Sequence, residues 1–373
     1  MAGIYLHIPF CKQACHYCNF HFSTSLKQKD ALIDALIEEL RLQRDYLSGE
    51  QLSSIYLGGG TPSLLTTDEL MRLFEVIYQL HAVSDQAEIT LEANPDDLNK
   101  EALKALRRTP INRLSIGIQS FSGEDLQFMN RAHNAQEAED CIDLALEQGF
   151  SALSVDLIYG TPNMSDRQWE ANMHKVFTKA VPHLSCYCLT VEPQTALDHF
   201  VKQGKVLPVD EEQAARQFEM LIQGAKGAGY DHYEISNFAK PGHYAQHNSN
   251  YWLGQSYLGI GPSAHSFNGQ SRQWNIANNA KYIKALRQGE LAFEKEELSP
   301  DQRYNEYVMT GLRTIWGCDL KKIHQFAPTY RAHFLAQAQI FLEDGSLIRQ
   351  NETFTLSEAG RLLADRIAME LFV

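Results

Sequence analysis

Ile4-Tyr5-Leu6-His7-Ile8-Pro9-Phe10-Cys11-Lys12-Gln13-Ala14-Cys15-His16-Tyr17-Cys18 runs from a β-rich apolar stretch straight into three cysteines. Ile4–Ile8 predicts a strand. The proline and the polar residues after it predict a loop. The same succession recurs along the first two thirds of the chain. Further strands are predicted at Ser54–Leu57, Ile89–Glu92, Arg113–Ile118, Leu153–Ile158 and Leu184–Val191. Amphipathic helices are predicted between them, at Asp30–Tyr46, Thr67–Leu80, Lys100–Arg107, Ala135–Gln148 and Asp166–Ala180. Strand–helix alternation implies parallel strands joined by helical crossovers. The expected class is α/β. Six such units predict a partial (β/α)6 TIM-like barrel, with a doubly wound sheet as the alternative.

Each predicted strand ends in a polar or Gly-rich segment. After the cysteine loop come Gly58-Gly59-Gly60-Thr61-Pro62, Glu92-Ala93-Asn94-Pro95, Gln119-Ser120-Phe121 and Asp156-Leu157-Ile158-Tyr159-Gly160. In β/α barrels the C-terminal strand ends carry the active site. Five such segments are therefore expected on one rim.

Composition narrows the function classes. The 373 residues carry 33 Lys+Arg against 46 Asp+Glu, a formal charge of -13. An acidic surface repels phosphate backbones, so nucleic acid is not an expected partner. No apolar run reaches the ~18 residues of a membrane span. Met1-Ala2-Gly3-Ile4 lacks the basic start of a signal peptide. The expected location is the cytoplasm, with peripheral contact at the inner membrane left open.

Seven cysteines in such a chain argue for metal chemistry at the cluster rather than crosslinks. Cys11, Cys15 and Cys18 form a C-x3-C-x2-C run. Thiolates are soft ligands for iron–sulfur clusters, zinc and copper. Three of them can cap three corners of a [4Fe–4S] cubane and leave one iron open. The competing reading is zinc with a fourth ligand from His7, His16 or His21. Cys141 reads as core. Cys186 and Cys188 share a face of one predicted strand, and Cys318 has no evident partner.

In these residues the chain resembles the radical S-adenosylmethionine superfamily, and within it the branch of oxygen-independent coproporphyrinogen III oxidases and HemW-type haem chaperones. The resemblance covers nearly the whole chain. It rests on Tyr5–Cys11, the cysteine loop, Gly58–Pro62, Glu92–Pro95, Ser115–Ser120 and Asp156–Gly160. It implies a [4Fe–4S] cluster on the three cysteines and S-adenosylmethionine on its open iron. By that resemblance Gly59, Gly60 and Thr61 meet the methionine amino group. Glu92 is expected to bond a ribose hydroxyl or the ammonium. Gln119, Arg131 and Asp156 supply further donors and acceptors. Tyr5 and Tyr17 flank the cluster and shield it or contact the cofactor. The structural alternatives are a tight β–α turn for the glycines, a helix-end charge for Arg131 and a core residue for Tyr5.

Two departures bear on which branch is meant. The oxidases carry a further cysteine two residues after the third; Phe20 stands there. They also have an N-terminal extension, whereas Tyr5 follows only four residues here. His247-Asn248-Ser249-Asn250-Tyr251-Trp252 matches the H-N-x-x-Y-W segment associated with haem in the chaperones. Imidazole is a good axial ligand for haem iron. His247 is the expected ligand, with His243 and His265 as neighbours able to replace it; a purely structural loop is the alternative. The resemblance implies haem, haem-accepting proteins (membrane-bound ones included) and an electron donor as partners, and it leaves a homodimer open. Porphyrinogen oxidation is the second reading.

Three segments are expected: a core at 1–236, a connecting region at 237–297, and a C-terminal part at 298–373. In the last, helices precede a hairpin near Ile348–Leu356, as in a winged helix.

Overall fold

The computed structural model describes residues 1–373. Its centre is a twelve-stranded sheet. The strands are β1 (Ala2–Ile8), β2 (Leu52–Gly59), β3 (Val83–Ala93), β4 (Arg113–Gln119), β5 (Ala152–Tyr159), β6 (His183–Cys188), β7 (Asp231–Glu234), β8 (Asn237–Ala239), β9 (Tyr257–Ile260), β10 (His265–Phe267), β11 (Ser271–Asn275) and β12 (Phe293–Glu297). Strands β1 to β6 lie side by side in sequence order, all parallel. Beyond β6 the sheet ends in the antiparallel β8 and β7. Beyond β1 come the parallel β9 and then the antiparallel β10, β11 and β12. No pairing joins β1 to β6, so the six parallel strands form a partial barrel, not a closed one.

Helix starts are written locally. Helix Thr67–Leu80 opens with a capping box in which Thr66 accepts the Glu69 N–H and Glu69 accepts the Thr66 N–H. Its Leu70, Leu73, Phe74 and Ile77 recur at helical spacing and are buried. Ser165 starts helix Asp166–Thr178 the same way.

Strand alternation sorts the side chains of β1. Ile4, Leu6 and Ile8 are buried with Leu32, Leu36 and Leu40 of helix Lys29–Leu42. Gly3, Tyr5 and His7 face the other way, into the lumen. The lumen is polar at its floor, the N-terminal end of the strands. There Arg113 lies 3.6 Å from Glu88 and donates to Ser154 at 2.5 Å. Ser154 bonds His183 at 2.9 Å, and His183 bonds the Tyr233 hydroxyl at 2.7 Å.

The weakly periodic region after Asn237 is where sequence and structure diverge most. It joins the main sheet through β8 to β12 and the helix Gln246–Trp252. Strands of three to five residues leave no period to read; pairing with β1 and β6 fixes them. Strand β7 is one arm of a tight hairpin and ends at Glu234. The predicted Leu184–Val191 strand stops at Cys188, and the chain ends in two short helices, Glu358–Arg361 and Ala364–Glu370.

After β12, a second apolar core forms around Tyr304, Phe334, Phe354 and Ile367. It is built from helices Pro300–Leu312, Leu320–Phe326 and Pro328–Glu343 and from a small antiparallel sheet of β13 (Cys318–Asp319), β14 (Leu347–Gln350) and β15 (Thr353–Leu356). No helix is long and apolar enough to cross a membrane.

Glu39 ties helix Lys29–Leu42 to the β9–β11 side. It is 1% exposed. It accepts from Gly261 N at 2.8 Å, from Asn275 Nδ2 at 2.7 Å and from the Tyr282 hydroxyl. Burial outweighs these three donors and pushes its carboxyl from 4.5 up to about 7. The folded chain then binds more protons than the unfolded chain between those values. Its contribution is present below pH 4.5 and is lost as pH rises toward 7, about 3 kcal/mol in all. Denaturant titrations at pH 5 and 7 should show that slope in the wild type. Glu39→Gln should flatten it and lower stability at pH 5, because the amide nitrogen faces donors.

Candidate functional site

The rim at the strand C-termini is assembled around the cysteine loop. The loop is closed where Ser23 N donates to Pro9 O (2.9 Å) and Cys11 N donates to Ser23 O (3.1 Å). It is stapled to the segment after β4. His16 N donates to Met129 O at 3.1 Å and its Nδ1 to Phe128 O at 2.9 Å. Asn130, at a φ of 56°, donates to Ala14 O at 2.7 Å. The backbone, not the thiols, therefore shapes the loop.

Cys11, Cys15 and Cys18 are half-buried and unpaired. Burial raises the Cys11 thiol, and it pushes Cys18 to about 11. Arg131 Nη1 donates to Cys15 Sγ at 3.3 Å. The same guanidinium donates to Asn94 Oδ1 (2.7 Å) and Gly117 O (2.6 Å), while its buried Nε has no partner. Asn94 in turn donates to Thr61 Oγ1 at 3.2 Å. Cys15, Arg131, Asn94, Thr61 and Gly117 thus form one network.

The glycine segment lies against the start of the loop. A Cβ on Gly60 would come within 2.6 Å of Ile8 O and 2.7 Å of Phe10 O. Gly59 has a φ of 102°, and its Cβ would strike the His7 ring. Gly59 N donates to Glu92 Oε2 at 3.0 Å, and the Tyr56 hydroxyl donates to Oε1 at 2.7 Å. Burial, opposed by the Tyr56 bond, pushes Glu92 up to about 7. Asp156 lies deeper, 3.4 Å from Ser115 Oγ, and burial pushes it to about 6. Gln119 holds a φ of 67° at the end of β4. Tyr17 packs with Leu126, Met129 and Ile158 beside Cys15. Tyr5 is further down the lumen, its hydroxyl donating to His7 Nδ1 at 3.1 Å.

These residues fit a cubane better than a single zinc ion. No three His, Cys, Asp or Glu side chains are grouped to hold one metal ion. The three histidines that zinc would draw on each hold a hydrogen bond within the protein, and His7 holds one on each ring nitrogen. His7 uses both ring nitrogens, on Tyr5 and on His21 O. His16 bonds Phe128 O, and His21 bonds Asn279 Oδ1 at 2.7 Å. Three spread thiols, an arginine with a free donor and a backbone cradle suit a cluster with one open corner.

His247 is not at this rim. It begins the helix Gln246–Trp252 at the lumen floor, beside Gly3 at the start of β1. Its Nδ1 bonds Ser54 Oγ at 2.9 Å, its backbone N donates to Glu88 at 2.9 Å, and Nε2 makes no hydrogen bond. Its ring stacks on Tyr56 with centroids 5.1 Å apart. Burial lowers it to about 4, so the ring is neutral at pH 7. From Gly3 to His7 is about 13 Å of strand. His265, the neighbour in sequence, lies apart from His247. His265 begins β10 at the rim, stacked on Trp274 and close to His7. His243 is exposed on the floor side, near His183.

Asn94, Tyr56, Ser54 and Glu88 were not singled out from sequence. Ser54 and Tyr56 alternate along β2, and Glu88 and Glu92 lie on one face of β3. Polar residues at every second position of a buried strand are the signal that points to a lumen.

Arg131→Lys gives a direct test of the rim network. Lysine keeps the charge but loses the planar fork that reaches Asn94, Gly117 and Cys15 together. A reconstituted cluster should lose iron to a chelator about 10- to 100-fold faster, the usual scale for removing outer-sphere support.

Residues 5–176 match the Radical SAM superfamily, and residues 298–363 match the HemN C-terminal domain. The heme chaperone HemW of Bacillus subtilis is 30% identical over 98% of this chain and 98% of its own. That of Escherichia coli is 31% identical over 100% of this chain and 98% of its own. That of Mycobacterium tuberculosis is 32% identical over 99% and 94%. Among solved structures, the coproporphyrinogen III oxidase HemN of Escherichia coli superposes with a TM-score of 0.86. It covers 100% of this chain and 90% of its own, at 24% identity, and shares the fold.

Proposed function

Because the chain belongs to the HemW family of the radical SAM superfamily, we propose that it binds a [4Fe–4S] cluster and S-adenosylmethionine at the rim, binds haem at the floor, and hands the haem to haem-dependent proteins, respiratory ones among them. The observation that carries the haem part is His247. Ser54 fixes one ring nitrogen and the ring is neutral, while the other nitrogen is left without a partner. That is the arrangement of an imidazole ready to ligate a metal.

The crevice beside His247 is lined by Gly3, Ser54, Asn250, Tyr251 and Tyr257. It is too shallow to enclose a porphyrin, so haem would lie across its mouth. Tyr251, half exposed, supplies an apolar face there, and Trp252 is held by its Nε1 bond to Asn248 at 3.2 Å.

At the rim, Cys11, Cys15 and Cys18 would hold the cluster. When bound, the cluster and S-adenosylmethionine supply one-electron chemistry at a sulfonium. This chain's own residues orient the ligand: Gly59, Gly60 and Thr61 by close backbone approach, and Glu92, Gln119, Arg131 and Asp156 by hydrogen bonds. Tyr17 keeps water from one side of the loop.

Anaerobic incubation of the reconstituted chain with haem, and separately with coproporphyrinogen III, S-adenosylmethionine and a reductant, tests the proposal. Stoichiometric haem binding without porphyrinogen turnover is expected. Turnover to protoporphyrinogen would replace the carrier reading with the enzyme reading.

A further inference from the structure

Tyr56 is the side chain that touches both ends of the lumen. Its hydroxyl donates to Glu92 at the rim, and its ring stacks on His247 at the floor, 28° from parallel. Tyr5 packs on its other neighbours, 6.1 Å from the Tyr56 ring and 6.4 Å from His247. His247's backbone is held by Glu88 and its Nδ1 by Ser54. The plane of the imidazole is therefore set by Ser54 and by the two tyrosine rings.

Both oxygens of Glu92 already accept a hydrogen bond. One takes the Tyr56 hydroxyl and the other the Gly59 N–H. A ligand that offers an ammonium or a ribose hydroxyl to Glu92 draws on the same carboxylate that holds Tyr56, and turning the carboxylate toward the ligand weakens the Tyr56 bond. Tyr56 has no other hydrogen-bond partner, so losing Glu92 frees its ring to turn. In a packed interior, a turned ring displaces its neighbour.

We propose that Tyr56 couples the two sites, so that S-adenosylmethionine bound at Glu92 loosens His247 and weakens haem binding. The inference rests on the assignment of the two sites given under Proposed function. It makes the rim ligand a release signal. The two ligands do not compete for space, since about 13 Å of strand separates the ends. Coupling of this kind is reciprocal, and coupled sites usually differ by about 5- to 150-fold in affinity.

The test uses the full chain, reconstituted anaerobically and titrated with haem, with and without saturating S-adenosylmethionine, followed at the Soret band. The haem Kd of the wild type should rise at least about fivefold with S-adenosylmethionine, and the S-adenosylmethionine Kd should rise by the same factor with haem. Tyr56→Phe keeps the ring and removes the bond to Glu92; its ratio should fall to about one. Equal or tighter haem affinity in the wild type overturns the coupling, whether or not the variant folds. A wild-type ratio that persists in Tyr56→Phe overturns the role of Tyr56. If haem fails to bind, or binds equally to His247→Ala, the site assignment beneath the coupling fails first and the coupling with it.

Discussion

Cys11→Ala, Cys15→Ala and Cys18→Ala should each lower iron after anaerobic reconstitution from about four per chain to below about one. A cubane held at three corners has no protein ligand in reserve, and its fourth corner has to stay open for a ligand. Each nearby histidine already holds a hydrogen bond within the protein. His7 is held on both nitrogens, His16 on Phe128 O, and His21 on Asn279. The variants should nevertheless fold, because the loop is closed by Ser23 and stapled through His16 and Asn130, none of which needs a thiol. Circular dichroism and iron counting on the same preparations separate the two effects. A variant that keeps four irons would show that its cysteine is not a ligand.

His247→Ala should weaken haem binding at least about tenfold and abolish the spectrum of histidine-ligated haem, since removing a ligand costs no less than removing its outer-sphere support. Ser54→Ala should have a smaller effect, because it frees the ring without removing it. His265→Ala is the control at the other end of the lumen and should leave haem affinity unchanged. Equal affinities in wild type and His247→Ala would move the haem site elsewhere.

The α/β class and the order of the six parallel strands were legible because apolar alternation and helix caps are local signals. Thr66 with Glu69, and Ser165 with Gln168, mark helix starts without reference to anything distant. The rim was legible because strand ends carry glycine, proline and polar residues in sequence order. The strands after Asn237 were not. Tyr257–Ile260 is four residues long, and what makes it a strand is β1 beside it, more than two hundred residues away in sequence. The distance between His247 and the cysteine loop was equally hidden. Sequence places His247 near His265, but the chain crosses from the floor to the rim along β9 between them. Tyr56 escaped notice because nothing in Ser54-Ile55-Tyr56-Leu57 distinguishes a lumen tyrosine from a core one. Its importance comes from Glu92 and His247, which other strands and helices bring to it.

The central claim is that one partial barrel carries two separate sites, iron–sulfur at the rim and haem at the floor. The most direct test is to load a single reconstituted preparation with haem and count both. About four non-haem irons and one haem per chain are predicted together, with Cys15→Ala losing only the irons and His247→Ala losing only the haem. Haem that displaces the cluster iron, or a Cys15→Ala variant that loses both, would contradict it.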